Sequence, residues 1–128
     1  MKNLTKKYII DAPLEKVYEA LTDPDLIEQW SGAPAIMEPK PGGVFSLWNS
    51  EVYGKNRQVR KNKIIQEWIA EDWEDPTKVT FVLKRIGYST VLELKHENIP
   101  ENSYELVEDN WDNYYLNPLR KLLECSSV

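Results

Sequence analysis

His96 and Cys125 are the one histidine and the one cysteine of the 128-residue sequence, so together they bound its nucleophilic and metal chemistry. A thiol becomes a useful nucleophile beside a base, and a Cys–His pair is the pattern that would provide one. These two fall on different predicted elements, and a cysteine in the tail is a poor nucleophile site. One histidine and one cysteine cannot supply the four nitrogen and sulfur ligands of a zinc site. No G-x-S-x-G elbow, P-loop or dinucleotide fingerprint occurs. Gly42-Gly43 does not open a helix, so it offers no phosphate cradle. The acidic pairs Glu71/Asp72 and Glu108/Asp109 sit in polar surroundings and read as solvated surface. Tyrosine and His96 are the acid–base types left for a cyclase- or hydrolase-like groove. The expectation is binding rather than catalysis, with no metal and no cofactor.

Five tryptophans and seven tyrosines are the compositional signal. Aromatic rings bury large areas, and their polar tips suit half-open sites. Trp30, Trp48, Trp68, Phe81, Trp111 and Tyr115 fall on several different elements. Leu92, Leu94 and His96 share one parity of a strand, which turns them the same way. These nine residues are the candidate lining of a groove for a small apolar or aromatic molecule. The competing reading is that the rings fill a core to normal density. For His96, a hydrogen-bonded structural role is favoured over a ligand contact.

A second candidate is charged. Lys55, Arg57, Arg60, Lys61 and Lys63 fall close together in a chain whose net charge is −5. They form either a solvated hairpin or a docking patch for an acidic partner protein. The overall charge disfavours nucleic acid, which needs a cationic surface to displace counterions. Nothing resembles a signal-peptide core, and no apolar run approaches the roughly 18 residues of a membrane span. The expected setting is cytoplasmic, without membrane insertion.

These residues must be positioned by a recognisable order of elements. Residues 4–12 alternate as a strand, which Pro13 stops. Leu14, Val17, Tyr18 and Leu21 give a short helix near 14–22. Asp23-Pro24 then caps a second, about 24–30. Three prolines in 34–41 allow only a short edge strand. Strands follow at 44–48, at 51–60 with Gly54 as a candidate bulge, and at 63–71 with its inner face open to either assignment. Asn49-Ser50 and Lys61-Asn62 are the turns between them. Two more strands run from Val79 and from Thr90, separated by a turn at 86–88. Residues 102–124 change to helical periodicity, with Ser103 as N-cap and Pro118 predicting a kink or break. Length allows one domain, residues 1–128, of α+β class: a curved antiparallel sheet wrapped around a long C-terminal helix.

The segment IIDAPLEKVYEALTDPDLIEQW resembles the opening of the helix-grip superfamily that includes START and Bet v 1-like proteins. PGGVFSLWNSEVYGKN, IIQEW, VTFVLK, TVLELKHENIP and NWDNYYLNPLRKLLE resemble, in order, the C-terminal domain of the activator of Hsp90 ATPase and its single-domain relatives. The resemblance covers nearly the whole chain. It implies a β-α-α-β6-α helix-grip with a groove between the sheet and the last helix. In multidomain eukaryotic activators such a domain accompanies an N-terminal Hsp90-binding domain, whereas this sequence opens directly on the helix-grip strand. The resemblance itself implies an Hsp90-type chaperone as the alternative, protein partner, with Lys55, Arg57, Arg60 and Lys61 as the candidate contact.

Overall fold

Alternating residues open the chain as β1 (Lys2–Ile10) in the computed structural model, which describes residues 2–70 and 73–125. The Glu71/Asp72 pair lies outside the described residues. Pro13 precedes α1 (Leu14–Thr22), whose Val17, Ala20 and Leu21 turn inward. The Asp23 carboxylate accepts the Asp25 N–H at 2.9 Å and caps α2 (Pro24–Ser31). Pro24 takes the first helical position, where a missing N–H costs nothing. Gly32, left-handed at φ 74°, ends α2.

Six strands follow: β2 (Ile36–Met37), β3 (Val44–Leu47), β4 (Val52–Arg60), β5 (Lys63–Ala70), β6 (Thr77–Ile86) and β7 (Ser89–Ile99). With β1 they form one seven-stranded sheet in the order β1-β7-β6-β5-β4-β3-β2. Every pairing is antiparallel. The first strand thus pairs with the last, by eight matched positions from Lys2–Ile99 to Ile10–Thr90. A 3-10 turn (Glu101–Ser103), α3 (Tyr104–Asn110), a π-helical segment (Trp111–Leu116) and α4 (Asn117–Cys125) run on without interruption. One sheet face packs Phe45, Ile64, Trp68, Phe81, Leu92 and Leu94 against Trp111, Tyr115, Leu116 and Leu119 of these helices. Each such side chain contributes about 1.5–3 kcal/mol when fully buried.

Several expectations change in detail. Trp48 is not the last residue of β3. Trp48, Asn49 and Ser50 are all left-handed, at φ 51°, 55° and 71°, so the turn is longer than two residues. This conformation costs about 1–2 kcal/mol per non-glycine residue. Gly54 is not a bulge: it stays in register with Phe45 and Trp68, and the irregularity lies between Asn56 and Gln58. Its missing side chain serves close approach, since a Cβ there would lie 1.8 Å from the Glu67 carbonyl oxygen. The inner face of β5 is Ile64, Gln66 and Trp68.

The C-terminal helix does not break at Pro118. The Asn117 N–H donates to the Asp112 carbonyl, five residues back, so a widened turn immediately precedes the proline. In a regular α-helix the Pro118 ring would meet the Tyr114 carbonyl; a π turn is a known way to absorb such a misfit. Ser103 makes no side-chain cap bond. The 3-10 turn takes over there, with the Ser103 N–H donating to the Pro100 carbonyl at 2.9 Å.

Candidate functional site

The ring cluster is assembled from α2, the β3–β4 turn, β5, β6 and the π segment. Trp68 stacks on Trp111 at 4.7 Å between centroids, and Trp111 meets Tyr115 at 4.7 Å. Trp30 lies 4.4 Å and Phe81 5.7 Å from Tyr115. Trp48 stands edge-on to Trp68 and Tyr115 at 6.3 and 6.0 Å. Thus Trp30, Trp48, Trp68, Phe81, Trp111 and Tyr115 converge, and Leu92 and Leu94 are buried on the same sheet face. Every ring except that of Trp48 is buried. The Trp30 indole N–H donates to the Ala20 carbonyl at 2.9 Å. Burial pushes the Tyr115 phenol well above the usual tyrosine range. Rings at these separations occupy the space beneath the helix. A shallow hollow lies instead on the opposite sheet face, among Thr5, Lys7, Thr80, Val82, Glu93 and Lys95.

Buried polar groups brace the rings. The Trp111 indole N–H donates to His96 Nδ1 at 3.0 Å. Nδ1 is therefore an acceptor, which leaves the proton on Nε2 to donate to Thr77 Oγ1 at 2.7 Å. The Thr77 hydroxyl donates to the Trp68 carbonyl at 3.1 Å. Burial lowers the His96 pKa to about 3, so the ring is neutral at pH 7. On the other side, the Trp68 indole N–H donates to Gln66 Oε1 at 2.7 Å, and Gln66 Nε2 donates to Asn56 Oδ1 at 2.9 Å. Asn56 Nδ2 donates to the Glu38 carbonyl at 2.7 Å. His96 is thus fully engaged inside the protein. Asn56, Gln66 and Thr77 escaped the sequence reading. Their available signal was parity, because Gln66 shares the inward side of β5 with Ile64 and Trp68.

Lys6 also faces inward, opposite Leu94. Its ammonium pairs with Asp112 of the π segment at 2.9 Å and ties the edge strand to the helix. Among the described residues, no cluster of three or more His, Cys, Asp or Glu is placed to hold a metal ion. Within the same residues, no helix is long and apolar enough to cross a membrane.

The predicted basic stretch divides in two. Lys55 lies opposite Glu67, and Arg57 forms an ion pair with that same carboxylate. Arg60 and Lys63 instead stand directly opposite each other beside exposed Lys61 at the β4–β5 hairpin. None of these cations approaches the ring cluster's interior; they occupy the open face and its rim.

A curved antiparallel sheet gripping a C-terminal helix around an aromatic interior defines a helix-grip domain of START/Bet v 1-like type. The chain belongs to the Activator of Hsp90 ATPase homolog 1-like protein family, which residues 11–124 match. An uncharacterized protein of Schizosaccharomyces pombe is 30% identical over 98% of this chain and 38% of its own length. The human activator of 90 kDa heat shock protein ATPase homolog 1 is 26% identical over 91% of this chain and 35% of its own length. The chain therefore spans a little over a third of these curated relatives. The crystal structure of an HSP90 activator from Plasmodium falciparum superimposes with a TM-score of 0.89 at 26% identity, covering 97% of both chains.

Proposed function

We propose that this chain is a non-catalytic domain that docks on an Hsp90-type chaperone and modulates its ATPase cycle. The observation that carries the reading is the closed interior: rings and buried hydrogen bonds occupy the space a substrate would need, which leaves surfaces to act. Family membership and relatives named as activators of that ATPase support it. The test is ATP turnover by the organism's purified Hsp90-type chaperone, titrated with this domain, alongside calorimetric binding. A saturable change in turnover with measurable binding is expected. No binding and no change in turnover would remove the proposal.

One observation favours a second reading, a small apolar or aromatic ligand held at the groove. Trp48 is only half-buried, sits in a left-handed turn, and stands edge-on to Trp68 and Tyr115. Strained backbone of this kind concentrates at functional sites. Tryptophan fluorescence titrated with lipids, sterols and aromatic compounds tests it. A flat response across that library would count against the groove.

A further inference from the structure

Among the described residues, the open sheet face carries exposed apolar side chains at the end where the β4–β5 and β6–β7 hairpins turn. Ile9 of β1 is 65% exposed, Ile86 of β6 is 59% exposed, and Tyr88 in the β6–β7 turn is 93% exposed. Pairing places Ile9 and Ile86 on this face, and Tyr88 stands in the turn that continues from Ile86. Ile9 lies opposite Val91, which lies opposite Lys84, and Ile86 lies opposite Ser89. Val91 is only 4% exposed although it shares the outward parity of Glu93 and Lys95.

Cations border this cluster. The next cross-strand row reads Arg60, Lys63, Val82, Glu93, Lys7. Lys61 sits in the adjoining turn. Like charges directly opposite, as Arg60 and Lys63 are, weaken a sheet. This pair stands exposed on the open face, where its charge is available to a partner. Exposed aliphatic and aromatic side chains within a charged border have the anatomy of a protein interface.

We propose that Ile9, Ile86 and Tyr88, bordered by Lys7, Arg60, Lys61, Lys63 and Lys84, form a docking surface for an acidic protein partner. The proposal rests on the chaperone-docking reading and names the surface that would serve it. Charge complementarity selects the partner: an apolar centre seats an apolar patch, while the cationic border matches carboxylates around it. Carboxylates are also interspersed nearby, at Glu93, at Glu15 in its ion pair with Arg85, and at Asp11 bonded to Ser89. An anionic bilayer or a phosphate backbone would meet repulsion from these, whereas a protein surface can match a mixed pattern.

The test measures affinity for the Hsp90-type chaperone at low and high salt. Three variants are compared with wild type: Ile9→Thr/Ile86→Thr/Tyr88→Ser, Arg60→Glu/Lys63→Glu, and Lys78→Glu as a distant control on the same face. The apolar variant should bind about tenfold or more weakly at both salt concentrations. The charge-reversed variant should bind weakly and lose most of its salt dependence, and the control should stay within about twofold of wild type. Circular dichroism melts check that each variant folds. Equal binding by wild type and both patch variants would overturn the surface while leaving chaperone docking intact. A wild-type chain that binds no chaperone would remove both. Sedimentation of wild type, but not the patch variants, with phosphatidylserine-containing vesicles would also overturn the protein-partner assignment.

Discussion

The indole N–H of Trp111 and Nδ1 of His96 meet at 3.0 Å inside the closed sheet–helix interior. That bond joins the first residue of the π segment to the middle of β7 and fixes the tautomer of the histidine. The neutral ring then relays to Thr77, whose hydroxyl is anchored on the backbone of Trp68. A proton on Nδ1 would face a donor, so protonation breaks the arrangement.

Stability should therefore fall in mildly acidic solution. Burial lowers His96 from the ordinary 6.5 to about 3 in the folded protein. The unfolded chain takes up the proton first, so the contribution is complete above about pH 6.5 and shrinks as pH falls toward 3. At up to about 1.4 kcal/mol per pH unit, roughly 2–3 kcal/mol is lost between pH 6.5 and 4.5. The Glu15 carboxyl is lowered by a backbone hydrogen bond and by Arg85, and that of Glu97 by its hydrogen bond to Lys95. Their contributions start to be lost only as pH falls through the ordinary carboxylate range, at the lower edge of that window. Urea denaturation at several pH values should show the loss, and His96→Gln should flatten it. An unchanged slope in the variant would assign the loss to other groups.

Gln66 bridges two partners that have no water to fall back on. Replacing it by leucine strips an acceptor from the Trp68 indole and a donor from Asn56. Each stranded buried group costs about 1–3 kcal/mol, so Gln66→Leu should lower stability by roughly 2–5 kcal/mol despite its added apolar surface. Equilibrium urea unfolding measures this directly, and a neutral result would show that the bridge contributes nothing net.

Two glycines should both lose stability on substitution by alanine, but to different degrees. At Gly54 a methyl group would meet the Glu67 carbonyl of the paired strand, and backbone cannot step aside. Gly54→Ala should cost at least about 3 kcal/mol or prevent folding. At Gly32 nothing lies within 4 Å, and only the left-handed φ opposes the substitution. Gly32→Ala should cost about 1–2 kcal/mol. Thermal melts of the two variants side by side test the ordering.

Lys6 guards an edge. An inward-facing charge on a free strand discourages sheet-to-sheet pairing between molecules. Its half-exposed ion pair with Asp112 is worth no more than about 1 kcal/mol. Lys6→Met should hence change the unfolding midpoint little while promoting self-association, which light scattering across a concentration series would detect. A strictly monomeric variant would show that the edge is protected by other means.

Local chemistry made much of this fold legible. Pro13 and Asp23-Pro24 placed both short helices, and strict alternation at Val79–Leu83 and Thr90–His96 oriented two strands. Helical periodicity put Trp111 and Tyr115 together on the apolar side of the C-terminal helix. Legibility failed where a residue's partner is distant. The inner face of β5 depends on Gln66 finding Asn56 and Trp68, which no hydrophobicity pattern encodes. Trp48 looked like a strand residue because its ring is apolar, yet its backbone is bent by a turn bonded to Pro34. Arg57 lies at the ladder's irregular position, although glycine is the usual signal for one. The apolar cluster of Ile9, Ile86 and Tyr88 was hidden for the same reason: β1, β6 and the β6–β7 turn contribute, and only register across β7 brings Ile9 and Ile86 to one face.

The pairing of β1 with β7 also sets a timetable. A ribosome delivers about 5–20 residues per second, so the first strand waits roughly 5–20 seconds before residues 90–99 emerge to receive it. Throughout that interval Leu4, Tyr8 and Ile10 have no sheet to join. Lysines at positions 2, 6 and 7 flank those apolar residues and are the local means of keeping unpaired strands of separate chains apart during the wait.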